Sequence, residues 1–217
     1  MALRSTLDQD LNMINEMITE MAAKVEEAIL ESVDAIKNQD SEKARHILDS
    51  GDVIDDMYDE INEKSYRFMA MKSPMIGDLR YCISIMRMAT DLERIGDHCE
   101  DIAGYAVRLE KEEYYKEIID LPRMAEMAAN MVKNAIHAFL HRDLKQARKV
   151  WKSDEDVDAI YRHIHEEQMD MVAEHPERAR QAMMFAFIAA HLERIADYAT
   201  NICEETVFSM EGDYEME

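Results

Sequence analysis

The stretch DLERIGDHCEDI at residues 91–102 decides the fold of this chain, because it returns at residues 191–202 as HLERIADYATNI. A leucine, a glutamate, an arginine, two isoleucines and an aspartate hold the same places in both copies. In the first copy, Glu93, Asp97 and Asp101 are spaced four residues apart, which on a helix aligns them along one edge. Like charges at this spacing repel by roughly a few tenths of a kcal/mol per pair. We therefore expect this edge either to bind a cation or to face water.

Apolar residues recur every three or four positions through most of the chain, which is the pattern of long helices packed nearly parallel to one another. The same pattern surrounds both acidic stretches. The apolar positions there are Tyr81, Ile85, Met88, Leu92, Ile95, Cys99 and Ile102, and then Phe185, Ile188, Leu192, Ile195, Ala199 and Ile202. With only 5 Gly and 3 Pro in 217 residues, little sequence remains for strands and turns, so the predicted fold is all-α.

The repeat extends beyond the acidic stretches, since residues 35–55 align with residues 138–158. We predict six long helices arranged as two pseudo-symmetric three-helix bundles, each with its own core. The first bundle would span residues 1–113 and the second residues 114–217. Asp40 is placed to cap the second helix of the first bundle, and Gly51 would permit a bend farther along that helix.

The charge of the chain limits its partners. It carries 25 basic and 47 acidic residues, a formal net charge of −22, which repels nucleic acid and anionic membranes and attracts cations and basic protein surfaces. No apolar run approaches the ~20 residues of a membrane-spanning helix. The first residues lack the pattern of a signal peptide, and three Cys without a CxxC motif favour a reducing compartment. We expect a cytoplasmic protein that binds no nucleic acid directly and inserts into no membrane.

Acidic residues also cluster in the second helix of each half. If the second and third helices of a bundle lie side by side and antiparallel, these acids face the acidic stretches. Sites built only from carboxylates suit hard cations such as Mg²⁺, Ca²⁺, Mn²⁺ or iron. The first predicted site consists of Glu93, Asp97, Asp101 and Asp55, and the second of Glu193, Asp197, Asp154 and Asp158. The second half has one acid fewer, because Asn201 stands where the first half has Asp101.

A solvated acidic face is the competing interpretation, because acid pairs four residues apart arise often by chance among 47 acidic residues. Their recurrence at matched places leaves both interpretations open. Arg94 can pair with Asp91 or Asp97, which favours a structural role over anion binding. His98, His163 and His165 are weaker ligand candidates, since a lone His is seldom a metal ligand.

No catalytic residues are predicted. The chain has no glycine-rich phosphate loop and no nucleophile elbow. Ferritin-like di-iron enzymes carry Glu-x-x-His on their helices, and none of the 8 His here follows a Glu at that spacing. An oxygen-activating enzyme is therefore disfavoured.

The motif GDLR at residues 77–80, followed by DLERIGD at residues 91–97, resembles the PhoU family of phosphate-uptake regulators. The second motif, LERIAD at residues 192–197, the duplicated plan and the length agree with this resemblance, which covers residues 7–208. It implies a cytoplasmic, non-enzymatic homodimer that links the ATPase of a phosphate ABC transporter, and a sensor kinase, to phosphate-responsive gene expression. It also implies metal ions, Fe, Mn, Mg or Zn, at the paired acidic motifs. The alternative is a carboxylate-rich helical protein for metal storage or redox chemistry.

Overall fold

The computed structural model describes residues 2–72 and 74–216, and these residues form helices joined by turns, without a strand. The all-α prediction is confirmed. In this described part of the chain, no helix combines the length and the apolar character that crossing a membrane requires. The helices are α1 (Ala2–Asn38), α2 (Ser41–Asp49), α3 (Asp52–Lys72), α4 (Ile76–Leu109), α5 (Asp120–His141), α6 (Leu144–Lys152), α7 (Asp154–Glu174) and α8 (Ala179–Glu211), with a 3₁₀ turn at Pro176–Arg178 before α8.

The second helix of each bundle is bent, so that α2 with α3, and α6 with α7, each count as one of the six predicted helices. The first bend falls at Ser50 and Gly51 and the second at Ser153. Gly51 leaves room for the Glu100 carboxylate at this bend, because a Cβ built there would lie 1.7 Å from Glu100 Oε1 and the end of that side chain would have to move. The bend predicted at Gly51 is confirmed.

The two halves repeat their local geometry at the start of α2 and α6. Asp40 and Asp143 each accept a hydrogen bond on the side chain from the backbone N–H three residues on, at 3.0 Å and 2.9 Å. The residue before each cap, Gln39 and Arg142, has a φ of 53°, in the left-handed region. The predicted Asp40 cap is confirmed, and its counterpart shows that the duplication extends to the backbone.

The long helices of the two halves pack directly on each other. α4 lies antiparallel to α8: Ser84 near the start of α4 donates to the carbonyl of Glu205 at 3.5 Å, and Tyr105 near its end stacks on Phe187. α1 of the first half also packs directly on α5 of the second half. The buried residues of both halves form one continuous cluster, so the prediction of a separate core for each bundle was wrong. The apolar stripe alone could not show this, because α4 is buried on more than one face.

The connection between α4 and α5 is fixed to both halves. The Tyr114 hydroxyl donates to the carbonyl of Ile36 at 2.9 Å, and its ring meets Phe185 edge-on at 5.2 Å. This segment includes the predicted boundary between residues 113 and 114, which stays a prediction because the shared core gives no separate evidence for two independent units.

Candidate metal centres

Three acids of the first predicted site come together where α3 begins beside the middle of α4. Asp55 lies in the first turn of α3, and its pKa is raised by burial and then by the charge of Asp97. The pKa of Glu93 is raised by burial and then by the charges of Asp97 and Asp55. The negative charges of Asp55, Glu93 and Asp97 therefore act on one another, as the antiparallel arrangement of the second and third helices predicts.

Glu100 joins this group, although sequence analysis missed it. Its pKa is raised by burial and then by Asp97 and Asp55, and its carboxylate lies over the Gly51 bend. The reason is helical geometry: at about 100° per residue, a side chain seven positions after Glu93 returns to within ~20° of it. The signal was present in the sequence as an acid at the heptad spacing.

Asp101 lies on a different side of α4. Eight positions after Glu93 it is rotated by about 80°, which is too far to share one edge. Its Oδ2 atom lies 3.7 Å from Nδ1 of His191 on α8. The structure therefore groups Asp101 with histidines, which differs from its predicted place beside Asp55.

The four acids of the second predicted site also come together, between α7 and α8. Burial raises the pKa of Asp154 to about 6, and the charges of Asp158 and Asp197 add to the effect. The pKa of Glu193 is raised by burial and then by Asp197, Asp158 and Asp154. The Oδ1 atom of Asp154 is buried without a hydrogen-bond partner. A buried carboxylate oxygen of this kind is costly unless a cation or a donor reaches it.

Arginines at the rim neutralise only part of this charge. Arg94 places Nη1 3.3 Å from Asp97 and Nε 3.4 Å from Glu93, so its predicted pairing with Asp97 is confirmed. On α7, Arg162 lies 3.3 Å from Asp158. Both arginines are more than half exposed, and exposed pairs contribute at most about 1 kcal/mol. The arginines therefore leave part of the negative charge of both clusters uncompensated.

Comparison with known proteins identifies the family to which this fold belongs. The family model described as "PhoU domain" matches residues 18–106 and 121–206, one copy in each half. The chain belongs to the PhoU family. It is 34% identical over 210 residues to the "Phosphate-specific transport system accessory protein PhoU homolog" of Clostridium acetobutylicum, with 96% of each chain covered. A homologue of the same description from Aquifex aeolicus is 34% identical over 207 residues, covering 95% of this chain and 94% of the other.

Solved structures share the fold. The crystal structure of PhoU from Pseudomonas aeruginosa matches with a TM-score of 0.90 at 29% identity, covering 94% of this chain and 99% of the other. The phosphate transport system regulatory protein PhoU from Streptococcus pneumoniae also matches with a TM-score of 0.90, at 28% identity, covering 96% and 99%. These similarities confirm the resemblance and the duplicated helical fold.

The acid clusters of this PhoU-family chain have the chemistry of hard-cation sites. Their ligand atoms are carboxylate oxygens, which suit Mg²⁺, Mn²⁺ and iron better than softer ions. In the second cluster, the buried Oδ1 atom of Asp154 has no protein group as a hydrogen-bond partner. The donor atoms are of the kind that a hard cation takes in both halves, but the described side chains whose ligand atoms already lie within 4.8 Å of one another are His98, Asp101 and His191, and not the acids of either cluster.

Histidines form a separate group at the contact of α4 with α8. Nδ1 of His98 lies 3.1 Å from Nδ1 of His191, and burial lowers the pKa of both rings. Sequence analysis missed His191, because its partner lies in the other half and no short motif connects them. His163 and His165 are exposed on α7, and Cys99 and Cys203 are buried.

Proposed function

We propose that this protein is a non-enzymatic, metal-binding regulator of phosphate uptake. The printed descriptions of its relatives name them accessory proteins of a phosphate-specific transport system. The observation that carries the proposal is the pair of acid clusters, one at the matched place in each half of a PhoU fold. The duplication supports a function that uses both halves together.

The metal would act as a structural and regulatory ligand. The helix pair α3 and α4 supplies one cluster, and α7 and α8 supply the other, so each ion would join two helices of its bundle. The carboxylates favour Mg²⁺, Mn²⁺ or iron over Zn²⁺, which prefers nitrogen and sulfur ligands. Binding would exchange repulsion between acids for attraction to the ion and would stiffen the two bends.

The proposed partner is the ATPase subunit of a phosphate ABC transporter, with a sensor kinase as the signalling partner. The net charge of −22 favours docking on basic protein surfaces. The ATPase of an ABC transporter faces the cytoplasm, so the regulator would act there and restrain phosphate-responsive gene expression when phosphate is plentiful. The homodimer expected from the resemblance stays a prediction.

A second candidate function is metal storage or redox chemistry without any transporter. The unpartnered oxygen of Asp154 favours metal binding in either case, so metal content alone does not separate the two functions. Association with the transporter separates the two functions.

The deciding experiment is affinity capture of the tagged chain, after mild crosslinking, from cells grown with abundant phosphate. Parallel captures use the parent and the double variant Asp97→Asn with Asp197→Asn. The proposal expects the transporter ATPase with the parent and less of it with the variant. A parent that carries metal but recovers no transporter component would favour the storage or redox function.

A further inference from the structure

A cluster of two imidazoles and one carboxylate lies between the halves of the molecule. His98 and Asp101 stand one turn apart on α4, and His191 faces them from α8. One ligand atom from each of these three side chains lies within 4.8 Å of the other two. The histidines are half-buried, and His191 retains 19% of its side-chain exposure while Asp101 retains 61%. A metal ion could therefore reach them from solvent on the side of Asp101.

The distances resemble those of a coordination shell. Two nitrogens held at about 2.0–2.1 Å by one tetrahedral Zn²⁺ lie about 3.3–3.4 Å apart. The two Nδ1 atoms of His98 and His191 are 3.1 Å apart, and Asp101 Oδ2 is 3.7 Å from the second of them. Small rotations of the side chains would bring all three atoms to one ion, with water completing the shell.

The other half provides an internal comparison. In the alignment of residues 91–102 with residues 191–202, His98 corresponds to Tyr198, Asp101 to Asn201 and His191 to Asp91. The corresponding set has one carboxyl and no imidazole, and Asn201 there acts only to lower the pKa of that carboxyl, which burial raises. All three positions thus carry a His or an acid at one end of the α4 and α8 contact, whereas only one of the three does at the other end.

We propose that His98, Asp101 and His191 form a third metal site, selective for a divalent transition metal of the zinc type and distinct from the two carboxylate clusters. Imidazole with carboxylate suits Zn²⁺ and its neighbours in the first transition series. Because the ligands come from α4 and α8, the ion would tie the first half of the chain to the second. The positive charge of Arg194 acts on both rings and opposes an ion there, so water and Asp101 must offset it.

The test is a Zn²⁺ titration of the whole protein with a competing chromophoric chelator, in excess Mg²⁺ to occupy the carboxylate clusters. Histidine side-chain NMR follows which rings respond. The parent should bind one Zn²⁺ that shifts the signals of His98 and His191. His191→Gln should weaken that binding at least ~tenfold, since even an outer-shell change costs about 10–100-fold. Asp101→Asn tests the same site with a second variant. Because the Asp101 side chain is exposed, this substitution should affect folding least.

The matched control is His137→Gln. His137 and His141 stack at 4.0 Å on α5 and offer a competing pair of imidazoles outside the cluster. This control should keep the affinity of the parent. Zn²⁺ binding that survives His191→Gln and Asp101→Asn, or that is lost in His137→Gln, would overturn the proposal. Either result would leave the carboxylate clusters and the transporter partner untouched, because none of their residues is changed.

Discussion

Arg87 on α4 places Nη1 3.0 Å from Oε1 of Glu205 on α8, which makes a charged contact between the two halves of the chain. Only 8% of the Glu205 side chain is exposed, whereas half of Arg87 is exposed. The guanidinium also lies over the ring of Phe208, 5.4 Å from its centre. Oε1 of Glu205 also accepts a hydrogen bond from the Tyr214 hydroxyl at 3.1 Å, and its second carboxylate oxygen has no hydrogen-bond partner. Arg87 therefore supplies the positive charge that offsets the burial of this acid.

Arg87→Ala should therefore lower the free energy of unfolding by about 2 kcal/mol, since a buried charged acceptor loses its cationic partner and keeps the neutral Tyr214 hydroxyl. Urea unfolding followed by circular dichroism measures the change. The control is Arg67→Ala, which removes an ion pair with Glu63 whose side chains are both more than half exposed, and it should cost less than about 1 kcal/mol. Equal effects of the two variants would contradict the conclusion that Arg87 stabilises the buried carboxylate of Glu205.

Asp91 should make the metal-free protein less stable as pH rises. Burial raises its pKa to about 7, with contributions from Glu205 and Glu204 that Arg87 and Asn201 oppose. In the unfolded chain an Asp titrates near pH ~4. Between about pH 4 and 7 the folded state thus binds more protons, so the stabilisation present below that window is lost as pH rises through it.

The measurement is the melting temperature across that window, with chelator present, for the parent and for Asp91→Asn. The variant carries no titrating group at this position and should show a shallower decline. Parallel curves would show that Asp91 does not titrate in this window.

The sequence predicted those features that depend on one helix or on one pair of neighbouring helices. The Asp40 cap, the bend at Gly51 and the facing of Asp55 with Asp97 follow from local spacing and from the antiparallel arrangement of the second and third helices. Contacts between the halves could not be predicted in this way. The shared core and the approach of His191 to His98 depend on how α8 crosses α4, which no periodicity specifies.

The two Asp caps offer a test of the duplication in solution. Asp40→Ala and Asp143→Ala each remove one side-chain acceptor from a helix N-terminus, at equivalent places in the two halves. Each should lower the free energy of unfolding by about 1 kcal/mol, or the melting temperature by roughly 2–4 °C. Asn at either position keeps an acceptor and should restore most of the loss. If only one cap matters, the two halves are not energetically equivalent.

Neutralising one acid in each cluster should reduce the response to metal. The parent should melt at higher temperature with Mn²⁺ and lower with chelator, by roughly 5–10 °C between free and saturating metal. In Asp97→Asn with Asp197→Asn this difference should shrink, while metal-free stability stays equal or rises because like charges are removed. Glu20→Gln with Asp170→Asn changes the net charge equally at exposed positions and serves as the control. If the melting temperature of the double variant responds to metal as that of the parent does, the clusters are solvated acidic faces and not metal sites.

Glu100 and Asp101 are the two candidates for a further ligand of the first cluster. The helical geometry favours Glu100, whereas the four-residue spacing in the sequence favours Asp101. Glu100 shares the field of Asp97 and Asp55, whereas Asp101 lies against His191. Glu100→Gln should therefore weaken Mn²⁺ binding, by about tenfold if the carboxylate is a ligand or hydrogen-bonds to one. Asp101→Asn should leave Mn²⁺ affinity nearly unchanged, although both variants remove one charge. Isothermal titration with Mn²⁺ compares them directly. If Asp101→Asn weakens Mn²⁺ binding more than Glu100→Gln does, α4 presents its acids differently when metal binds, and the cluster includes Asp101 after all.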